Sequence, residues 1–286
     1  MYVITGITGQ VGGEVGRTLL AAGLPVRAVV RDAAKGAAWA QQGCEIALAD
    51  MADATALSTA FAGAEAVFVL LPPNFDPAPG FPDTEARVAA LYEALIAAQP
   101  KRVVCLSTIG AQATEANLLN ALRIMERKLR DLPMPIAFLR AGWFMENMIW
   151  DIALAKATGI VPSFLQPLDK PVPMVATADV GRVAAELLRQ EWRGVRVVEL
   201  EGPARVSPNQ IAECMSLVFN RTVEMEAVPR DQWEALFRSQ GMKHPLPRIR
   251  MLDGFNEGWI EFEGPNVHKG EVPVSAVVEA LAGKTA

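Results

Sequence analysis

The sequence predicts an α/β protein: a doubly wound parallel sheet with a smaller C-terminal lobe. Three observations lead there. Strand and helix patterns alternate through the first half of the 286 residues, the first strand runs straight into a glycine-spaced turn and a helix, and beyond residue 140 the alternation breaks down. Strands separated by helices at this spacing form a parallel sheet with right-handed crossovers.

Each element has its own signal. Tyr2-Val3-Ile4 is an aromatic and β-branched run that suits a buried strand. From about 11 to 22, Val11, Val15, Leu19 and Leu20 share one helical face, and Ala22-Gly23 closes the helix. Val26 to Val30 is the second strand, residues 33–42 an alanine-rich helix ended by Gly43, and Glu45 to Ala49 the third strand. A short helix over Ala54 to Phe61 leads to the fourth strand, Ala66 to Leu71, and Asp83 to Ala98 is a helix with Val88, Leu91, Leu95 and Ile96 along one side. Arg102 to Leu106 is the fifth strand, a helix spans about 115–131, and Ile136 to Leu139 is the sixth strand.

Residues 161–173 are proline-rich and are expected to form a loop. Asp179 to Arg189 is expected to be a helix capped by its aspartate, and Val195 to Leu200 one more strand of the sheet. Ser207-Pro208 fits a helix start, with Ser as N-cap and Pro in the first turn. Residues 241–270 suggest few long regular elements. We therefore expect one lobe from 1–150, completed by 174–202, and a smaller lobe from 203–286 with 151–173 over the carboxyl ends of the strands.

Composition excludes several classes. The net charge of −5 argues against a nucleic-acid surface, which needs clustered Lys and Arg. No apolar stretch reaches the ~20 residues needed to cross a bilayer. Because the first strand begins at residue 2, no signal peptide is expected, and a cytoplasmic location follows. Cys44, Cys105 and Cys214 are odd in number and far apart, which disfavours a disulfide framework, and each reads as a small buried hydrophobe. His244 and His268 lack metal-ligand spacing, so no metal site is expected.

The glycine-spaced turn carries the chemistry. Gly6, Gly9 and Gly12 follow a strand and open a helix. Glycine permits a sharp turn and a close backbone approach, and the helix N-terminus adds about half a positive charge, so a dinucleotide pyrophosphate can be held there. Thr5, Gly6, Thr8, Gly9, Gln10, Val11 and Gly12 are the expected contacts.

Strand two ends in Arg31-Asp32, with Lys35 one turn into the next helix. A basic group here suits the 2′-phosphate of NADP, an acidic one the ribose of NAD. Arg31 comes first and a guanidinium is the better phosphate partner, so NADP(H) is favoured, with NAD(H) as the alternative and Asp32 read as a helix cap. Asp50 can accept from the adenine amino group or cap the next helix, and Leu71-Pro72 ends strand four where the cofactor should pass. Ser107 and Thr108 end strand five beside the expected nicotinamide. There a hydroxyl can donate to the carboxamide or to a substrate oxygen, or serve only as a turn residue.

With these residues in place, the chain resembles the NmrA-like group of atypical short-chain dehydrogenases/reductases over essentially its whole length. TGITGQVG (5–12), VVRD (29–32), VVCLSTIGA (103–111), FLRAGWFMEN (138–147), MVATADVGRVAAELL (174–188) and VVELEGPARVSPNQIA (197–212) carry the resemblance. It implies a Rossmann lobe, NAD(P) binding and a small C-terminal substrate lobe. Members of the group include quinone and azo-dye reductases, plant benzylic ether reductases and regulators that sense nicotinamide redox state.

Two departures bear on mechanism. The YxxxK acid/base pair common in short-chain dehydrogenases is absent, because Tyr2 and Tyr92 are the only tyrosines and neither is followed by Lys four residues on. The lysine that reductases of this branch keep four residues before a helix glutamate is also missing: the glutamate resembles Glu126, and Leu122 stands four before it. Lys128 lies two residues past that glutamate, about 200° around a helix, and should face elsewhere.

The expected function is reduction of an electron-poor small molecule such as a quinone by NADPH. A quinone's reduced oxygen is stabilised by its own ring and takes a proton from water, so loss of a Tyr-Lys pair is tolerable. Ser107 or Thr108 would polarise the acceptor. Trp143, Phe144, Asn147, Met148 and Phe255 would line its pocket, or form ordinary core between the lobes. The alternative is a non-catalytic redox sensor acting through a protein partner.

Overall fold

The chain was analysed as a computed structural model that describes residues 1–284. The first half alternates as β1 (Tyr2–Thr5), α1 (Gln10–Ala21), β2 (Val26–Val30), α2 (Ala33–Gln41), β3 (Glu45–Leu48), α3 (Ala54–Phe61), β4 (Ala66–Val69), α4 (Pro82–Ala98), β5 (Arg102–Thr108), α5 (Asn120–Leu129) and β6 (Ile136–Ala141). There follow β7 (Trp143–Phe144), α6 (Ile149–Thr158), β8 (Ile160–Ser163), β9 (Met174–Val175), α7 (Thr177–Arg189) and β10 (Val195–Glu201). The chain continues through α8 (Pro208–Phe219), β11 (Glu224–Ala227), α9 (Trp233–Ser239), α10 (Leu246–Glu257), β12 (His268–Lys269) and α11 (Val274–Lys284).

Eight strands form one parallel sheet in the order β12-β10-β6-β5-β4-β1-β2-β3. Strand order reverses between β1 and β4, which opens a crevice at the carboxyl ends of those strands. β4 and β6 are buried along their whole length because helices cover both faces. Val3 faces a core built with Leu57, Leu91, Leu95 and Met125, whereas its neighbour Ile4 faces Val15, Leu19, Ala184 and Leu188. On the latter face, α1 and α7 pack so closely that a Cβ on Gly181 would lie 2.4 Å from Glu14 Cβ. A third core gathers Ile152, Met215, Trp233, Phe237, Leu252, Phe255 and Val278 from the second half of the chain.

Several sequence expectations need correction. The proline-rich 161–173 segment is not all loop: β8 takes its first three residues, because β11 supplies a parallel partner for its backbone. The 241–270 segment contains the 12-residue α10, which buries Ile249, Met251, Leu252 and Phe255. The helix expected from 115 starts only at Asn120, since Asn117 and Asn120 side chains accept local backbone N–H groups and hold a turn before it. β12 belongs to the main sheet although it lies in the segment assigned to the small lobe.

Asp179 does not cap α7. The helix begins at Thr177, and the buried Asp179 carboxylate accepts instead from the backbone N–H groups of Glu271 and Val272. Ser207 does cap α8, in a reciprocal box with Gln210. Cys44 and Cys105 are buried, but Cys214 is only partly so. Among the described residues no helix is long and apolar enough to cross a membrane.

Candidate functional site

The turn between β1 and α1 is shaped by its glycines. Gly6 sits at φ +66°, the left-handed region that favours glycine, with the Leu70 side chain 3.1 Å from where a Cβ would stand. Gly12 is tighter still, as its Cβ would lie 2.3 Å from the Gly6 carbonyl oxygen. Thr8, Gly9 and Gln10 are exposed at the crevice. No side chain caps α1 and no acidic residue occupies its first turn. The first N–H groups of a helix have no intrahelical acceptor, so this end is left for an anion to satisfy. The Gly9 N–H already donates to the Gly6 carbonyl at 2.9 Å, so the residues fit a pyrophosphate through the N–H groups of Gln10, Val11 and Gly12, with Gly9 leaving the space in front of them open.

Thr5 plays another part than expected. It is fully buried, and its hydroxyl donates to the Phe68 carbonyl (3.1 Å) while accepting from Leu70 N–H (2.8 Å). With no surface exposed it ties β1 to the end of β4, and so positions the turn rather than touching a ligand. Glu146 was not anticipated either. Its carboxylate accepts from the backbone N–H (2.9 Å) and hydroxyl (2.7 Å) of Thr177, anchoring the 145–148 turn to the start of α7 beside Gln10. Only the fold brings these residues together, 31 positions apart.

At the end of β2 the two candidate groups separate. Asp32 accepts from Ala34 N–H at 2.9 Å and caps α2, whereas Arg31 and Lys35 are exposed. Neither cation has an ion-pair or hydrogen-bond partner through its side chain among the described residues. Asp53, not Asp50, caps α3, and Asp50 closes a turn onto Ala52 N–H while remaining exposed. Leu71 and Pro72 are partly buried where β4 has ended.

The end of β5 corrects the expectation for Ser107. Ser107 is buried, and its hydroxyl donates to Glu126 at 2.5 Å. Its one proton is therefore directed into the protein and not toward an acceptor. Glu126 in turn receives a bidentate pair from Arg140 (2.9 and 2.7 Å), and Arg140 reaches Gln112 and Glu263 as well. Arg140 and Glu126 side chains are 4% and 5% exposed. Burial opposes the Arg140 charge, but the Glu126 and Glu263 carboxylates hold its pKa above the ordinary value. Thr108 is partly exposed and donates to the Ile109 carbonyl at 3.1 Å.

α5 provides no proton relay in place of the missing pair. Leu122 packs partly buried against the sheet core, and Lys128 lies 4.5 Å over the ring of Tyr92 on the α4 side. Lys128 thus faces away from the site, as its helical angle required.

The aromatic candidates divide between two cores. Phe144 packs on the main sheet, while Trp143 joins the small-lobe core and meets Phe255 edge-to-face at 5.2 Å. Met148 is buried in the small-lobe core and Asn147 is exposed. The segment leading into α10 is held at the crevice from two sides. Asp76, in the loop after β4, accepts from Lys243 and His244 N–H (2.8 and 2.6 Å), and Leu118, in the loop after β5, donates to the Pro247 carbonyl at 2.9 Å. These contacts hold the Asp76 carboxyl below its usual range, chiefly through the Lys243 N–H.

Comparison with known proteins gives a consistent picture. The model of the NmrA-like family matches residues 2–253. An NAD(P)H azoreductase from Xenophilus azovorans is 28% identical over 90% of this chain and 85% of its own length. A (4-alkanoyl-5-oxo-2,5-dihydrofuran-3-yl)methyl phosphate reductase from Streptomyces griseus is 30% identical over 81% of this chain and 78% of its own. Among solved structures, an NADPH-dependent quinone oxidoreductase from Escherichia coli superposes with a TM-score of 0.80 at 23% identity, covering 98% of this chain and 99% of that one.

Proposed function

Because the chain belongs to the NmrA-like family, we propose that it reduces an electron-poor small molecule of the quinone or azo class with NADPH. The observation that carries this reading is the uncapped α1 N-terminus together with an exposed Arg31 that has no side-chain partner among the described residues. Backbone N–H groups of Gln10 to Gly12 would hold the pyrophosphate, with Gly9 giving it room to approach. Arg31, supported by Lys35, would hold the 2′-phosphate, and Asp50 would lie toward the adenine. Leu71, Pro72 and Thr108 would border the nicotinamide end.

Bound there, NADPH supplies a hydride. The protein's contribution is mainly alignment, since a quinone oxygen needs little help to carry charge and its proton can come from water. Ser107 positions the end of β5 through Glu126, and Thr108 would polarise the acceptor oxygen only after its hydroxyl turns away from the Ile109 carbonyl to which it now donates. Trp143, Phe144, Asn147, Met148 and Phe255 would border the acceptor, with the lobe of 151–173 and 203–284, apart from β12, above it. Cytoplasmic residence is part of the same reading.

The test is the loss of reduced-nicotinamide absorbance with a panel of quinones, azo dyes and simple aldehydes. Turnover of quinones or azo dyes and not of aldehydes is expected. A second reading, a sensor without turnover, draws on Leu122 and on the inward-directed Ser107. Tight, redox-selective NADPH binding with no turnover of any acceptor would select it.

Arg31→Ala is expected to weaken NADPH binding by roughly ten- to a hundred-fold, the value of a charged hydrogen bond to phosphate, with NADH affinity unchanged. Titration calorimetry with both cofactors measures this. Equal losses for the two would remove Arg31 from the 2′-phosphate site.

A further inference from the structure

We propose that Arg248 recognises an oxyanion on the acceptor, so that the preferred substrates of the site carry a carboxylate, sulfonate or phosphate group. This rests on the reductase reading above and adds the substrate class to it.

Three arginines of the small lobe lie over aromatic rings: Arg230 over Trp233 (4.9 Å), Arg248 over Phe237 (4.4 Å) and Arg250 over Trp259 (5.5 Å). Arg230 and Arg250 also pair with the buried carboxylate of Asp253. Arg248 has no ion-pair or hydrogen-bond partner among the described residues, although it is partly buried. Asp253 follows it by five positions, about 140° around the helix, and therefore serves the other two. Burial alone pulls the pKa of Arg248 below its ordinary value. A guanidinium that has given up hydration without a counter-ion offers its fork of donors to an incoming oxyanion, and the ring beneath fixes its plane.

Its backbone belongs to the segment that is held at the crevice. Arg248 directly follows Pro247, whose carbonyl is held by the loop after β5, and His244 is held by the loop after β4. Seven residues further along α10, on the same helical face, stands Phe255 with Trp143 against it. Two helical turns separate Arg248 from Phe255, about 10.5 Å. That span suits an acceptor whose flat ring system meets the aromatic pair while its anionic group reaches the guanidinium.

The test uses full-length protein with NADPH and a matched pair of acceptors, a naphthoquinone and its sulfonate. Arg248→Gln is expected to raise KM for the sulfonate, relative to that for the neutral quinone, by about ten- to a hundred-fold, and Arg248→Lys to recover part of it. Equal changes for both acceptors, or a loss of NADPH affinity instead, would overturn the assignment. Calorimetric binding of naphthalene sulfonate to the NADP+-loaded protein is measured in parallel. Arg248-dependent binding without turnover of either quinone would keep the anion site and remove the reductase reading. Binding that is absent or indifferent to Arg248 would overturn the site itself. Inorganic sulfate is the separate titrant for a free anion, and an Arg248-dependent affinity equal to that of the naphthalene sulfonate would overturn the acceptor assignment.

Discussion

Gly9→Val is expected to remove NADPH binding while the protein remains folded. Gly9 precedes α1 in extended backbone at φ −91°, a conformation that any residue adopts, and it is exposed. A Cβ there would stand 3.3 Å from the Gly6 carbonyl, tight but open to small adjustment, so the fold should tolerate it. A branched side chain would nevertheless fill the space in front of the α1 N–H groups. Affinity should fall at least about a hundred-fold, which is roughly 2.8 kcal/mol. Calorimetry reports the affinity and thermal unfolding the fold, and unchanged affinity in a folded variant would refute the nucleotide site. Gly12 makes the contrast clear, because its Cβ would collide with the turn itself at 2.3 Å. Gly12→Val should therefore lose stability as well as binding.

The largest effect on stability is expected from Arg140→Met. The change leaves the Glu126 carboxylate buried with only the Ser107 hydroxyl, and Glu263 without its cation. Breaking a buried pair by removing one partner costs about 3–5 kcal/mol, because the other charge stays uncompensated. For a chain of this size that lowers Tm on the order of 10 °C. Glu199 loses the Arg140 cation at 3.7 Å as well, but its carboxylate keeps the Glu263 and Gly264 N–H groups as donors. Replacing both members, Glu126→Leu with Arg140→Met, is expected to cost less than the single change, as the most deeply buried of the carboxylates left without a cation is then gone, while Glu199 and Glu263 still lose theirs. Thermal melts of the two variants decide the matter, and a single variant as stable as wild type would mean that the network does not hold β5, α5 and β6 together.

Much of the architecture was legible because local rules and global fold agree over the first half. The run at Tyr2-Val3-Ile4, the apolar face from Val11 to Leu19 and the N-cap at Ser207 each act within a few residues. The parallel sheet follows from their alternation. Elements in the second half were harder to read, because α10 and β8 are specified by what packs on them. α10 is buried on one side by the small-lobe core, and β8 exists through its pairing with β11.

By itself, the sequence determined the sheet, the glycine turn, the cation at the end of β2 and the absence of a tyrosine–lysine pair. All of these depend on residue type at short spacing. Tertiary structure alone decided which polar groups are free. Thr5 and Ser107 both looked like ligands, and both are engaged by partners 63 and 19 positions away. Asp179 looked like a cap and instead holds the strand-to-helix turn 92 positions on. A buried hydroxyl or carboxylate takes whichever donor or acceptor the fold brings to it, since leaving it unpaired is costly. That partner lies on another strand or helix, so its identity is a property of the packed sheet and not of any local pattern.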